Sequence, residues 1–156
     1  METRRIISVT VINEHGVLSR ISGLFAGRGY NIESLTVAPL PESDLSKITI
    51  STYGDERVLE QIIKQLHKLI PVLTVVEHNE MVEKEMAMVK LPLETNLAEL
   101  EALCRAYHGE ITSTNDKYVI VMATDNPTRI THFLHAIKRF HPKDMIRSGV
   151  VAMERL

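Results

Sequence analysis

Apolar and polar positions change period in an orderly way along the chain. From Ile6 to Ile12 they alternate, with Ile7, Val9 and Val11 on one face and Ser8 and Thr10 on the other, which predicts a half-buried strand. Asn13-Glu14-His15-Gly16 breaks that alternation. Val17, Leu18, Ile21, Leu24 and Phe25 then fall at helical spacing, with Ser19, Arg20 and Ser22 turned outward. Gly27-Arg28-Gly29 supplies the stop, because glycine tolerates the left-handed conformation that ends many helices. Asn31 to Ala38 and Lys47 to Tyr53 predict two more strands, joined by the turn-rich run Pro39-Leu40-Pro41-Glu42-Ser43-Asp44. Asp55 is the expected N-cap of a helix whose stripe is Val58, Leu59, Ile62, Ile63, Leu66 and Leu69. Pro71 ends it, and Val72 to His78 completes the set as a fourth strand.

The same order then returns. Met86 to Leu91 is a strand, and Leu97 to Tyr107 a helix capped near Asn96, ended by Gly109, with Leu97, Leu100, Leu103 and Cys104 inward. Ile111–Thr114 and Tyr118–Thr124 form a hairpin across Asn115-Asp116. Pro127, at the first helical position after Asn126, opens a helix with Ile130, Phe133, Leu134 and Ile137 inward. Met145 to Met153 closes as a strand. Two copies of β-α-β-β-α-β predict an α+β chain of two ferredoxin-like domains, each an antiparallel sheet with helices on one face. The expected domains are residues 1–79 and 80–156, with Met81-Val82-Glu83-Lys84-Glu85 as linker.

Composition narrows the function by exclusion. Eighteen basic and twenty acidic side chains leave a formal charge of −2, so no electrostatic case exists for nucleic acid or an anionic membrane. The single Cys104 excludes an internal disulfide and a multi-cysteine zinc site. No apolar run approaches membrane-spanning length, and Met1-Glu2-Thr3-Arg4-Arg5 leads into a strand pattern instead of a signal peptide. The expectation is a cytoplasmic protein with no cofactor or metal of its own.

No catalytic constellation can be assembled. His132 and His135 are three apart without the acidic partner of metalloprotease spacing, and read as polar positions of an amphipathic helix. Cys104 lies on an apolar stripe, where a small buried hydrophobe is the plain account. Gly27-Arg28-Gly29 follows a helix instead of opening one, so it is no dinucleotide fingerprint. The β-α-β-β-α-β order also describes the RNA-recognition motif, which stacks bases on aromatics of its central strands. Here the third strand is Lys47-Ile48-Thr49-Ile50-Ser51-Thr52-Tyr53, with one terminal aromatic and no Arg/Lys-Gly-Phe run.

What remains is the loop Asn13-Glu14-His15-Gly16-Val17-Leu18 between first strand and first helix. A helix N-terminus offers free N–H groups and partial positive charge to a carboxylate. Gly16 lets a ligand approach the backbone, and the Asn13 amide suits an α-amino group. An ordinary Asn/Gly turn into a helix accounts for the same residues.

That loop with Ser19-Arg20, then Gly23-Leu24-Phe25 and the long run Arg28-Gly29-Tyr30-Asn31-Ile32-Glu33-Ser34-Leu35-Thr36-Val37, closely resembles the small regulatory subunits of acetolactate synthase, also called acetohydroxyacid synthase. Gly54-Asp55-Glu56, Gln65-Leu66-His67-Lys68-Leu69 and Arg147-Ser148-Gly149-Val150-Val151 extend the likeness over nearly the whole chain. The resemblance implies an N-terminal ACT domain and a homodimer. It further implies a catalytic large subunit carrying thiamine diphosphate, magnesium and FAD, which the small subunit activates and makes sensitive to valine in branched-chain amino-acid synthesis. Effector sites in the family lie where two ACT domains meet. Carried over, they comprise Asn13, His15, Gly16, Val17 and Leu18 of one protomer with Asn31 and Ile32 of the other. His15 departs from the proline or small residue more usual there.

Overall fold

The computed structural model describes residues 2–77 and 80–155, and side chains from residue 3 onward. Two compact units make up the chain: Met1–Met81 together with Ala152–Leu156, and Val82–Val151.

In the first unit, β1 (Glu2–Ile12), α1 (Val17–Ala26), β2 (Asn31–Pro39), β3 (Leu45–Asp55), α2 (Glu56–Lys68) and β4 (Val72–Glu77) follow in turn. Their antiparallel sheet has the order β2-β3-β1-β4. This is the ferredoxin-like arrangement expected of β-α-β-β-α-β connectivity. Alternation in β1 aims Ile7, Val9 and Val11 at the helices, where they pack with Ile21, Phe25, Ile48, Ile50, Leu59, Ile62 and Leu66. The opposite face is hydroxyl-rich: Ser8 pairs across to Thr49, and Thr49 to Thr36. Asp55 caps α2 as expected, accepting from the Arg57 N–H at 2.8 Å. His78, placed by the sequence at the end of the fourth strand, lies outside the described residues.

In the glycine stop after α1, Gly27 is right-handed with φ −66°, and Gly29 takes the left-handed role at φ +70°. Two residues of further turn come first, closed by Arg28 and Gly29 N–H groups donating to Phe25 and Ala26. Tyr30 then folds over β3 so closely that a Cβ at Gly54 would stand 2.1 Å from its ring. The Tyr30 hydroxyl donates to the Asp55 carbonyl at 2.5 Å.

The second set is β5 (Met81–Pro92), α3 (Leu97–Ala106), β6 (Gly109–Thr114), β7 (Tyr118–Asp125), α4 (Pro127–Ala136), a 3-10 turn over Ile137–Phe140, β8 (Asp144–Arg147) and β9 (Val151–Glu154). Its sheet order, β6-β7-β5-β8, repeats that of the first, with β9 also pairing β5. Asn96 and Asn126 cap α3 and α4 through the Glu99 and Arg129 N–H groups.

Three expectations are corrected here. Residues 81–85 are not a linker but the first part of β5, with Glu85 buried against the Arg147 guanidinium. The closing strand is two short strands: the regular ladder ends at Ser148, whose N–H still donates to the Met86 carbonyl at 2.8 Å but whose hydroxyl accepts the Met86 N–H at 2.9 Å. Leu97 is not inward; at the first helical position of α3 it is 51% exposed, and Leu100 and Cys104 carry the buried stripe.

Candidate functional site

The loop singled out by the sequence is Asn13–Gly16, between the end of β1 and the start of α1. Backbone bonds pin its entrance: the Ile12 N–H donates to the Pro71 carbonyl and the Asn13 N–H to the Asp44 carbonyl, both at 2.8 Å. Gly16 stands at the N-cap with φ +80°, and no side chain caps α1. The other three α-helices each have an Asp or Asn cap. No acidic side chain occupies the first turn of α1, so nothing there offsets the positive end of the helix dipole. An added Cβ at Gly16 would meet nothing within 4 Å, so the backbone is open to approach. The site therefore offers free N–H donors and partial positive charge, the chemistry that suits a carboxylate.

Around it, Asn13, Glu14 and His15 are exposed, and so is Leu18. Val17 is buried in the core, so only its backbone faces the loop. Within one chain the loop does not meet Asn31 and Ile32. Asn31 pairs with Tyr53, which pairs with Arg4, whereas Ile12 pairs with Leu45. Tyr53 and Leu45 are eight residues apart on β3, so the two halves of the predicted site lie about 26 Å apart at opposite ends of the sheet. Asn31 is exposed, and Ile32 is partly buried against the core. Sequence reasoning missed Asp44, whose backbone carbonyl holds Asn13; its only sequence signal is membership of a turn-rich run.

The other candidates are quiet. Cys104 is buried, and burial pushes its thiol up, with Glu101 adding to the effect. His132 and His135 are exposed on α4. Among the described residues, no group of three His, Cys, Asp or Glu side chains is placed to hold a metal ion. No helix there is long and apolar enough to cross a membrane.

The strongest electrostatic feature is in the second unit. Asp125, at the end of β7 and with 3% of its side chain exposed, accepts from Arg129 Nε at 2.6 Å, His108 Nδ1 at 3.0 Å, Lys84 Nζ at 3.4 Å and the Asn126 N–H at 2.8 Å. Burial alone pushes the carboxyl up, but the Asn126 N–H, Arg129 and Lys84 outweigh it and hold Asp125 at about 2. Arg129 also donates to the Ala106 carbonyl and lies over the Tyr107 ring, tying α3, β7 and α4 together. This network is structural.

Comparison with known proteins decides the family. A family profile described as an AHAS small subunit-like ACT domain matches residues 7–74, and one described as the small subunit of acetolactate synthase matches residues 84–156. The chain belongs to the acetolactate synthase small-subunit family. It is 43% identical over 156 residues to the acetolactate synthase isozyme 3 small subunit of Escherichia coli, covering 97% of this chain and 96% of that protein. It is 40% identical to the acetolactate synthase small subunit of Buchnera aphidicola from Schizaphis graminum, covering 97% and 99%. The crystal structure of the acetolactate synthase small subunit from Thermotoga maritima superposes with TM-score 0.88 at 30% identity, covering 99% of this chain and 98% of that one. Both ferredoxin-like domains, the first an ACT domain, thus belong to the small-subunit fold.

Proposed function

We propose that this chain is a cytoplasmic regulatory subunit, without catalysis of its own, that activates an acetolactate synthase catalytic subunit and makes it sensitive to valine. Thiamine diphosphate, magnesium and FAD stay, in this reading, with the catalytic subunit. The observation that carries the effector half is the uncapped, positive-φ N-terminus of α1 at Gly16. Valine is a zwitterion with a small apolar side chain. The free N–H groups of α1 suit its carboxylate, the Asn13 amide its ammonium, and Leu18 and Ile32 its methyl groups.

The 26 Å separation of Asn31 from the loop supports a dimeric site. Strand β2 is an edge strand, with one row of backbone groups free of pairing within its sheet. Pro39 pairs with Ser46, which also pairs with Val11, so the C-terminal end of β2 lies at the loop end of the sheet. Antiparallel pairing of two β2 edges about a two-fold axis would lay Asn31 of a second copy beside that end. One loop and one Asn31 would then complete each of two equivalent sites.

Titration calorimetry with valine on wild type and Gly16→Asp tests the assignment. A carboxylate about 4 Å from the bound one costs about 4 kcal/mol at the effective dielectric of a protein surface. Valine affinity should therefore fall by more than roughly a hundredfold. Equal affinity in both proteins refutes the site. Reconstitution with the catalytic subunit tests the partner half: the chain should raise turnover, and valine should then lower it. A catalytic subunit equally active and equally valine-sensitive alone would leave a free-standing amino-acid sensor as the better account.

A further inference from the structure

The helix-free face of the first sheet carries a second concave site. A cavity of about 340 Å³ opens there, at the small end of the range that binds metabolites. All of its lining residues belong to the first unit. Ser8, Lys47 and Val76 come from β1, β3 and β4, and Met81, Met153 and Glu154 close over them. These residues are on the side opposite Ile7, Val9 and Ile48, so the cavity is separated by the whole sheet from the helix layer.

Two features distinguish it from a packing gap. Ser8 is 6% exposed, and its buried Oγ has no hydrogen-bond partner among the described residues. A buried hydroxyl without a partner is costly, and a ligand group bonded to Ser8 would recover that cost. The walls also carry complementary charge. Lys47 is exposed and presents an ammonium, and Glu154 brings a carboxylate. Glu154 is already engaged with a partner, and the two oxygens of a carboxylate accept several hydrogen bonds. Val76, Met81 and Met153 supply an apolar wall, with thioethers that adapt to varied side-chain shapes.

From this combination we infer that the cavity is a second effector site, for a free amino acid with an apolar side chain. Lys47 receives the α-carboxylate and Glu154 the α-ammonium. Ser8 donates its hydroxyl to the carboxylate, and the methionines cover the side chain. The inference is independent of the loop at Gly16, because no residue of that loop lines the cavity.

L-leucine is the probe, titrated into the full chain by calorimetry. The Gly16→Asp background removes the loop site, and Asn13→Ala serves if that variant fails to fold. Leucine should bind in this background, with 4-methylpentanoate and 3-methylbutylamine, which lack the ammonium and the carboxylate, at least roughly tenfold weaker. Lys47→Met should weaken leucine by about tenfold or more and Ser8→Ala by a few-fold, with far-UV circular dichroism unchanged. Undetectable leucine binding in the loop-disabled chain overturns the proposal, as does equal affinity in Lys47→Met. Loss of valine binding at Gly16 is read separately, so either site can fail without the other.

Discussion

Neutralising Asp125 removes the best-defined electrostatic contribution to stability in the second unit. Its carboxyl is held at about 2 against an ordinary 3.8. A gap near two units corresponds to about 2.5 kcal/mol favouring the charged form in the folded state. Lys84 and Arg129 are 50% and 40% exposed, so solvent screens part of that attraction, and about 1–2 kcal/mol is the better expectation. The sign follows from the lowered pKa. The contribution is fully present above about pH 5, because there the unfolded carboxyl is also ionised. It is lost as pH falls through 4 toward 2, where the unfolded chain takes up the proton first. Asp125→Asn keeps the shape and deletes the charge. Thermal unfolding followed by circular dichroism, on both proteins from pH 7 to about pH 2, should show the variant several degrees less stable at neutral pH. The two curves should converge in acid. A stability difference independent of pH would refute the ionic account and leave packing as the role of Asp125.

Gly54→Ala forces a methyl into the Tyr30 ring, which the hydrogen bond to Asp55 and the Phe25 edge contact hold in place. A loss of about 2–3 kcal/mol is expected, relieved in the Tyr30→Ala background; chemical denaturation of the four proteins of that cycle measures it. Sedimentation at tens of micromolar protein should find a dimer through β2, and a stable monomer with or without valine would overturn the two-fold site. If valine changes the affinity of the chain for its catalytic partner, the partner must change valine affinity by the same factor; calorimetry with and without the partner reads that equality.

Local rules make most of the fold legible. Ile7, Val9 and Val11 alternate because one face of β1 meets helices. Asp55, Asn96 and Asn126 announce helix starts through short-range hydrogen bonds that any sequence window contains. What sequence reading missed depends on distant partners. Glu83-Lys84-Glu85 looks like a polar connector, but Glu85 is matched by Arg147 and Lys84 by Asp125, tens of residues away. The break at Ser148 is likewise set by Met86 across the sheet, and the glycine that turns left-handed after α1 is fixed by how Tyr30 must reach β3. For the site, Asn13 and Gly16 carry a local signal. The missing cap on α1 and the distance to Asn31 do not, because both emerge only from geometry and register.

Gly16 gives a reason for the proposed effector site to sit where stability is given up. A residue with φ +80° at the N-cap is outside the extended geometry from which Asp55, Asn96 and Asn126 cap their helices. Side-chain capping at such a position is worth about 1 kcal/mol, and α1 forgoes it. The N–H groups left free are the ones an effector carboxylate would use, so a capping side chain would compete with the ligand for the same donors. The core offsets the loss: Val17, Ile21 and Phe25 bury one face of α1 against β1 and β3, which keeps the helix formed without a cap. A helix start anchored from below by Val17, and left open above at Gly16, can gain stability from a bound anion without rearranging. Its thermal stability should therefore rise more with valine in wild type than in Gly16→Asp, and an equal rise in both would place the valine effector outside this loop.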